Sequence, residues 1–301
     1  MIRTQYKVKL VKKDVSPIAI FCLDSRTKNY GFADRLRGMV SCYAYAKAVG
    51  IPFRIEHINP FDLSKYFVPN SYDWLLKTGE KSNNLLYANP VCFFDNTKSS
   101  RQDDINHLFK INNKRQHHLY TNYYFLNDVN DRYKKNYVFG DLFSELFKPS
   151  LLLEKMICEQ KARIGGRYIS VSFRFAQLMG DFKDCVGEEL SKEDKTVLLE
   201  KSLSVVRSLF EQNQKTILVT SDSQTFIDAV SKLDFVYVVP GKIGHIGYLQ
   251  GCEIVEKMLL DFYLISQADH VYSAQSGEMY GGAFAEFAAM SNNTPYTTIT
   301  Y

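Results

Sequence analysis

Four stretches of the chain carry side chains whose chemistry converges on an anionic ligand. The first is Ser172-Phe173-Arg174, the polar end of an apolar run, followed by Gln177, Gly180, Asp181 and Asp184. A guanidinium is a forked, permanently charged donor that can bridge two phosphate oxygens and stabilise the charge growing on a leaving diphosphate. The competing reading of Arg174 is a side chain that reaches solvent or a carboxylate at a strand end. The second stretch is Thr220-Ser221-Asp222-Ser223, where Asp and Ser also serve as ordinary helix caps. The third centres on Asp261, three residues after Met258 and four before Ile265 in an otherwise apolar run. That spacing puts the carboxylate on or near a buried helix face, where it must meet a charged or hydrogen-bonding group. The two N–H groups of a guanine edge would serve, and so would a structural Lys or Arg. The fourth is Ser273-Ala274-Gln275-Ser276-Gly277-Glu278, leading into a predicted helix with Gly281, Gly282 and Ala283. Small residues there admit a ligand close to the backbone, and a helix start offers free N–H groups to phosphate.

Two weaker signals accompany these. Gly241-Lys242-Ile243-Gly244-His245-Ile246-Gly247 is glycine-rich but follows neither a dinucleotide nor a P-loop spacing, so His245 is a ligand contact or an ordinary loop residue. Near the N-terminus, Gly31-Phe32-Ala33-Asp34-Arg35-Leu36-Arg37-Gly38 opens a helix with two arginines off its apolar stripe. These are anion contacts or solvated charges. The histidines, including His117 and His118, lack the carboxylate or thiol company of a metal site.

The elements that must position these residues follow from periodicity. From Arg167 onward, strands at 168–173, 216–220, 235–239, 270–273 and 296–300 alternate with helices at 191–212, 253–267 and 279–290 and a short helix capped near Ser223. Repeated β-α units predict a parallel, doubly wound sheet, whose ligands sit outside the carboxyl ends of the strands. A second such unit opens with a strand at 18–22, a helix at 33–49 ending at Gly50, and a strand at 52–55. Between 59 and 148 the pattern dissolves into Asn-, Tyr-, Lys- and Asp-rich sequence, which predicts short helices and long loops.

Composition bounds the alternatives. At 301 residues, with 46% hydrophobic and 23% charged residues, the chain has material for two domains. A net charge of +4 and a pI of about 8.5 suit an anionic ligand, but no dense Lys/Arg run of the nucleic-acid-gripping kind is present. The six cysteines form no C-x-x-C pair, which argues against a zinc site and fits a reducing cytoplasm. No apolar run reaches the ~18 residues of a membrane span, leaving peripheral attachment as the only membrane expectation.

Together these stretches resemble the GT-B fucosyltransferases, which include the α-1,2 and α-1,6 enzymes, rhizobial nodulation enzymes and plant cell-wall enzymes. GFADRLRG at 31–38 resembles the family's N-terminal donor loop, 169–181 its H-x-R-x-G-D-type motif, and DFYLISQADHVYSAQSG at 261–277 its third motif. The resemblance implies two Rossmann-type parallel α/β domains facing a cleft, with 1–150 on the acceptor side and 151–301 binding the donor. It implies metal-independent, inverting transfer from GDP-β-L-fucose to a glycan hydroxyl. Arg174 would clamp the β-phosphate, Asp261 would read guanine, and Ser276 with Gly277 would hold phosphate or ribose. Asp222 takes the second motif's acidic position, and Gly31, Asp34, Arg35, Ser172 and His245 join the donor contacts. Asp181 is the base candidate, with Asp34 and Glu278 behind it. Two departures stand out: Ser172 occupies a position where many members have His, and five residues separate Arg174 from Gly180. A transferase using another nucleotide sugar, or a non-catalytic nucleotide- or carbohydrate-binding module, remains the alternative.

Overall fold

The computed structural model describes residues 5–10, 15–23, 31–94, 98–110, 114–181, 187–244, 246, 251–277 and 279–301. The chain divides into two compact units, residues 1–150 and 151–301.

The N-terminal unit is built on strands β1 (Ile18–Leu23), β2 (Phe53–His57), β4 (Ala88–Phe93) and β5 (Gln116–Thr121), all parallel, in the order β2-β1-β5-β4. Helix α1 (Phe32–Val49) links β1 to β2 and stops at Gly50, which takes the left-handed conformation (φ 73°) and donates its N–H to the Ala46 carbonyl. The remaining elements are β3 (Phe67–Pro69), α2 (Lys98–Lys110), α3 (Leu126–Tyr133), α4 (Phe139–Leu146) and β6 (Phe147–Pro149), with β3 and β6 paired antiparallel. One close approach fixes α1 on the sheet. A methyl group at Gly38 would sit 2.6 Å from the Thr121 carbonyl oxygen, so the helix reaches its depth only because that position carries no side chain.

The C-terminal unit begins with α5 (Leu151–Ile164) and continues through β7 (Tyr168–Phe173), α6 (Lys192–Asn213), β8 (Thr216–Ser221), α7 (Gln224–Val230), β9 (Val236–Tyr237), α8 (Cys252–Ser266), β10 (Val271–Gln275), α9 (Phe284–Ser291) and β11 (Tyr296–Thr300). All strands are parallel, in the order β11-β10-β7-β8-β9. Ser191 caps α6 by accepting from the Asp194 N–H at 3.1 Å, and Ser223 caps α7 by accepting from the Phe226 N–H at 3.2 Å. The apolar residues of β7 and β8, including Val171, Phe173, Ile217 and Val219, form the core with Val206 and Leu209 of α6 and Phe226 of α7. Among the described residues, no helix is long and apolar enough to cross a membrane.

Two sequence expectations need correction. The polar stretch 59–148 contributes two strands to the first sheet, and one of them, β5, is buried along its whole length. Its polar side chains are satisfied internally: His118 Nδ1 meets Tyr6 Oη at 2.6 Å and its Nε2 meets Gln116 Oε1 at 3.1 Å, while His117 Nδ1 meets Tyr45 Oη at 3.2 Å. The helix expected at 279–290 starts only at Phe284, because Gly281 and Gly282 are poor helix formers. The N–H groups of that helix start therefore lie seven or more residues beyond Ser276 and Gly277.

Two buried histidines make the N-terminal unit acid-sensitive. Burial, together with Lys81 and His117, holds His118 at about 3, and burial beside Arg35 holds His57 at about 3. Both values lie below the unfolded value near 6.5, so the stability of the neutral forms is complete above that pH and is lost as pH falls towards 3. At pH 5.5 the loss is ~1.4 kcal/mol per histidine by linkage. Urea unfolding at pH 7.5 and 5.5 should show this drop, and His57→Gln with His118→Gln should flatten it. In the same assay Gly38→Ala should destabilise by ~1–3 kcal/mol through overpacking, despite alanine's better helix propensity. Gly277→Ala, whose methyl would meet nothing within 4 Å, should stay within ~0.5 kcal/mol.

Candidate active site

In the C-terminal sheet the chain runs from β7 outward to β8 and β9, then returns to the other side of β7 to lay down β10 and β11. The order reverses between β7 and β10. That is where an open parallel sheet leaves a crevice outside its carboxyl ends. Arg174 follows β7 on one side of this point, and Ser276 and Gly277 follow β10 on the other.

Arg174 is part-exposed, and one guanidinium nitrogen lies 3.1 Å from Asp222 Oδ2. The parallel register explains the partner: Phe173 pairs with Ser221, so the next residues, Arg174 and Asp222, leave the sheet level with each other. Asp222 is buried, and its two oxygens also accept from the backbone N–H groups of Phe175 (2.8 Å) and Ala176 (2.9 Å). Burial pushes the Asp222 carboxyl up, against the guanidinium and the backbone donors that stabilise its charge. Acceptance from three donors is the geometry of the ionised form. Ala176 sits in the left-handed region (φ 52°), turning the chain sharply after the strand. On the other flank, a methyl at Gly282 would lie 3.5 Å from Arg174 Cβ and Cγ, so the loop after β10 runs along the arginine's aliphatic stem.

Ser276 is buried, its carbonyl accepting from the Met279 N–H at 3.1 Å, whereas Gly277 is exposed with open space beside its Cα. Ser172, expected among the donor contacts, shares a 2.7 Å hydrogen bond with Thr220 Oγ1 across β7 and β8, so its hydroxyl is engaged within the sheet. Asp181 is exposed and stands at the start of α7, where its Oδ2 accepts from Ser223 Oγ (2.9 Å) and the Thr225 N–H (2.6 Å). Its geometry is that of a helix-start carboxylate, a role the sequence did not reveal. His245 and Glu278 lie outside the described residues.

Asp261 lies on α8 with both oxygens 2.6 Å from Lys257 Nζ, one turn earlier. The structural cation weighed against a guanine edge is therefore present, and no ligand is required to satisfy the carboxylate. Burial pushes the Asp261 carboxyl up, opposed by the Lys257 ammonium. The lysine stem runs beside Gly241 (φ 137°), where an added methyl would lie only 3.2–3.4 Å from Lys257 Cβ, Cγ and Cδ. This gives the 241–247 stretch a packing role at its first glycine.

In the N-terminal unit the two arginines of GFADRLRG part ways. Arg37 is half-buried and engaged rather than solvated, 2.8 Å from Asp34 and donating from Nε to the Asn122 carbonyl. Arg35, in contrast to the solvated reading, is buried on α1. It donates to the Asn59 carbonyl at 2.9 Å and approaches His57 Nε2, at the end of β2, at 3.4 Å. His57 Nδ1 lies 3.0 Å from the Phe61 carbonyl, which fixes that nitrogen as the protonated one and leaves Nε2 to accept from Arg35. Burial lowers Arg35 to about 10, against the pull of Asp34. Gly31 is the N-cap position of α1 and offers no side-chain cap. Among the described residues, no group of three or more His, Cys, Asp or Glu side chains could hold a metal ion.

No protein-family model matches the chain, and no curated protein matches it in sequence. Solved structures do. The fucosyltransferase NodZ from Bradyrhizobium is 14% identical, with 91% of this chain and 92% of that chain aligned at a TM-score of 0.56; the α-1,6-fucosyltransferase NodZ soaked with GDP-fucose gives the same values. A mutant of Arabidopsis thaliana FUT1 in complex with GDP is 10% identical over 99% of this chain and 73% of that one, at 0.61. The apo form of POFUT1 is 11% identical over 96% and 99%, at 0.52. The chain shares the GT-B fold of these fucosyltransferases.

Proposed function

We propose that this protein is an inverting glycosyltransferase that moves L-fucose from GDP-β-L-fucose to a glycan hydroxyl, forming an α-fucoside. The observation that carries the reading is Arg174: a part-exposed guanidinium at the reversal point of the C-terminal sheet, anchored from behind by Asp222 and flanked by the loop after β10. The shared fold adds weight, since NodZ was soaked with GDP-fucose and FUT1 was solved with GDP.

In this reading residues 151–301 bind the donor and residues 1–150 serve the acceptor. The acceptor oxygen attacks the anomeric carbon as the bond to the β-phosphate oxygen breaks, and the acceptor proton leaves to a base. Arg174 neutralises the charge that accumulates on the departing GDP, which makes metal assistance unnecessary. Gly277, exposed and unobstructed, lets the diphosphate or ribose approach the backbone beside Ser276. Asp261 keeps acceptor capacity on its two oxygens beside Lys257, and the reading gives that remaining capacity to the guanine N1–H and exocyclic amine. Asp181 is disfavoured as the base by its two hydrogen bonds at the start of α7.

Thermal unfolding with added nucleotides tests the reading. GDP at a hundred times its Kd should stabilise the protein by ~2.7 kcal/mol, with smaller effects of UDP and ADP at the same concentration. Equal shifts with UDP or ADP would assign the donor to another nucleotide sugar, and no shift with any of them would refute donor binding. Arg174→Ala should weaken GDP binding by ~1.5–3 kcal/mol, the worth of a hydrogen bond to a charged group. GDP release from GDP-fucose across a panel of glycan acceptors reports transfer; binding without release would identify a non-catalytic module.

A further inference from the structure

We infer that Asp222 is the positioning residue for Arg174, setting the direction of the guanidinium without touching the ligand. This rests on the donor-binding reading of Arg174. One buried carboxylate controls two things at once: it holds a guanidinium nitrogen at 3.1 Å and receives the N–H groups of the next two residues, Phe175 and Ala176. The left-handed conformation of Ala176 is disfavoured for an alanine and persists only where neighbours fix it. Asp222 supplies that fixation from the adjacent strand, and the Ser172 to Thr220 hydrogen bond, two residues before each, ties the same two strand ends together. Asp222 therefore holds both the turn after β7 and the guanidinium of Arg174. Buried as it is, Asp222 acts through the arginine.

An asparagine cannot reproduce this cup, because its amide group would face a backbone donor with another donor. In Asp222→Asn, GDP affinity should fall about tenfold while guanosine affinity changes less than twofold, since only the diphosphate meets Arg174. In an Arg174→Ala background the same substitution should change GDP affinity less than twofold, as expected for residues acting as one unit. Unchanged GDP affinity in Asp222→Asn, or a full tenfold loss added to that of Arg174→Ala, would overturn the inference. Hydrogen exchange of the wild-type protein provides a test that needs no variant to fold. The Phe175 and Ala176 amides should exchange as slowly as those of β7, and exchange at the rate of an open loop would refute the cup. Wild-type protein that binds no GDP would refute the functional reading, and with it the task assigned to Arg174, while the exchange rates still report on the cup by themselves.

Discussion

A carboxylate buried at the end of a parallel sheet has to be met by donors, and the C-terminal unit is arranged around how Asp222 meets them. Strands β7 and β8 end level with each other, so the first residue beyond one strand faces the first residue beyond the other. The backbone after β7 folds back to lend two N–H groups, and Arg174 supplies the counter-charge. In the proposed donor-binding reading, an arginine held from behind has its direction set before the diphosphate arrives. Preorganisation of this kind is what makes a cation effective against charge that develops during a reaction.

Buried charges recur in the molecule, and each is handled locally. Asp261 and Lys257 neutralise each other within one helical turn beside Gly241. Arg35 is buried against a neutral histidine and a carbonyl, and its lowered pKa records the cost of removing a guanidinium from water. These arrangements fail badly when one partner is removed, because a single charge is then left in a medium that cannot solvate it.

Much of the C-terminal unit was legible in the sequence, since a strand buried on both faces is a continuous apolar run and its flanking helices carry clear caps such as Ser191 and Ser223. Arg174 was legible for the same reason: it interrupts such a run at its end. A carboxylate at a strand end was the competing reading of Arg174 and is present, but that it is Asp222 was not legible, because pairing between β7 and β8 is a long-range register that no local pattern encodes. The spacing around Asp261 places a carboxylate near a buried helix face in need of a partner, and Lys257 is one, through a rotamer that no local pattern encodes. The start of α9 was placed too early because apolar spacing continues through Gly281 and Gly282, where the backbone does not follow it. The largest miss was β5, whose Gln116-His117-His118 sequence has the polarity of a loop. Its burial depends on Tyr6 and Tyr45, which come from distant parts of the chain.

That polar strand has a consequence for how the first sheet assembles. Apolar side chains tolerate approximate neighbours, whereas His117, His118 and Gln116 each need a particular atom opposite. A slip of one residue would turn all three to the wrong face and strand several polar groups away from water. Strand β5 is thus keyed by these side chains to Tyr6, to Tyr45 of α1 and to the backbone of Glu80 and Ser82, which sets its depth and register while its backbone runs level with β1 and β4 up to their carboxyl ends.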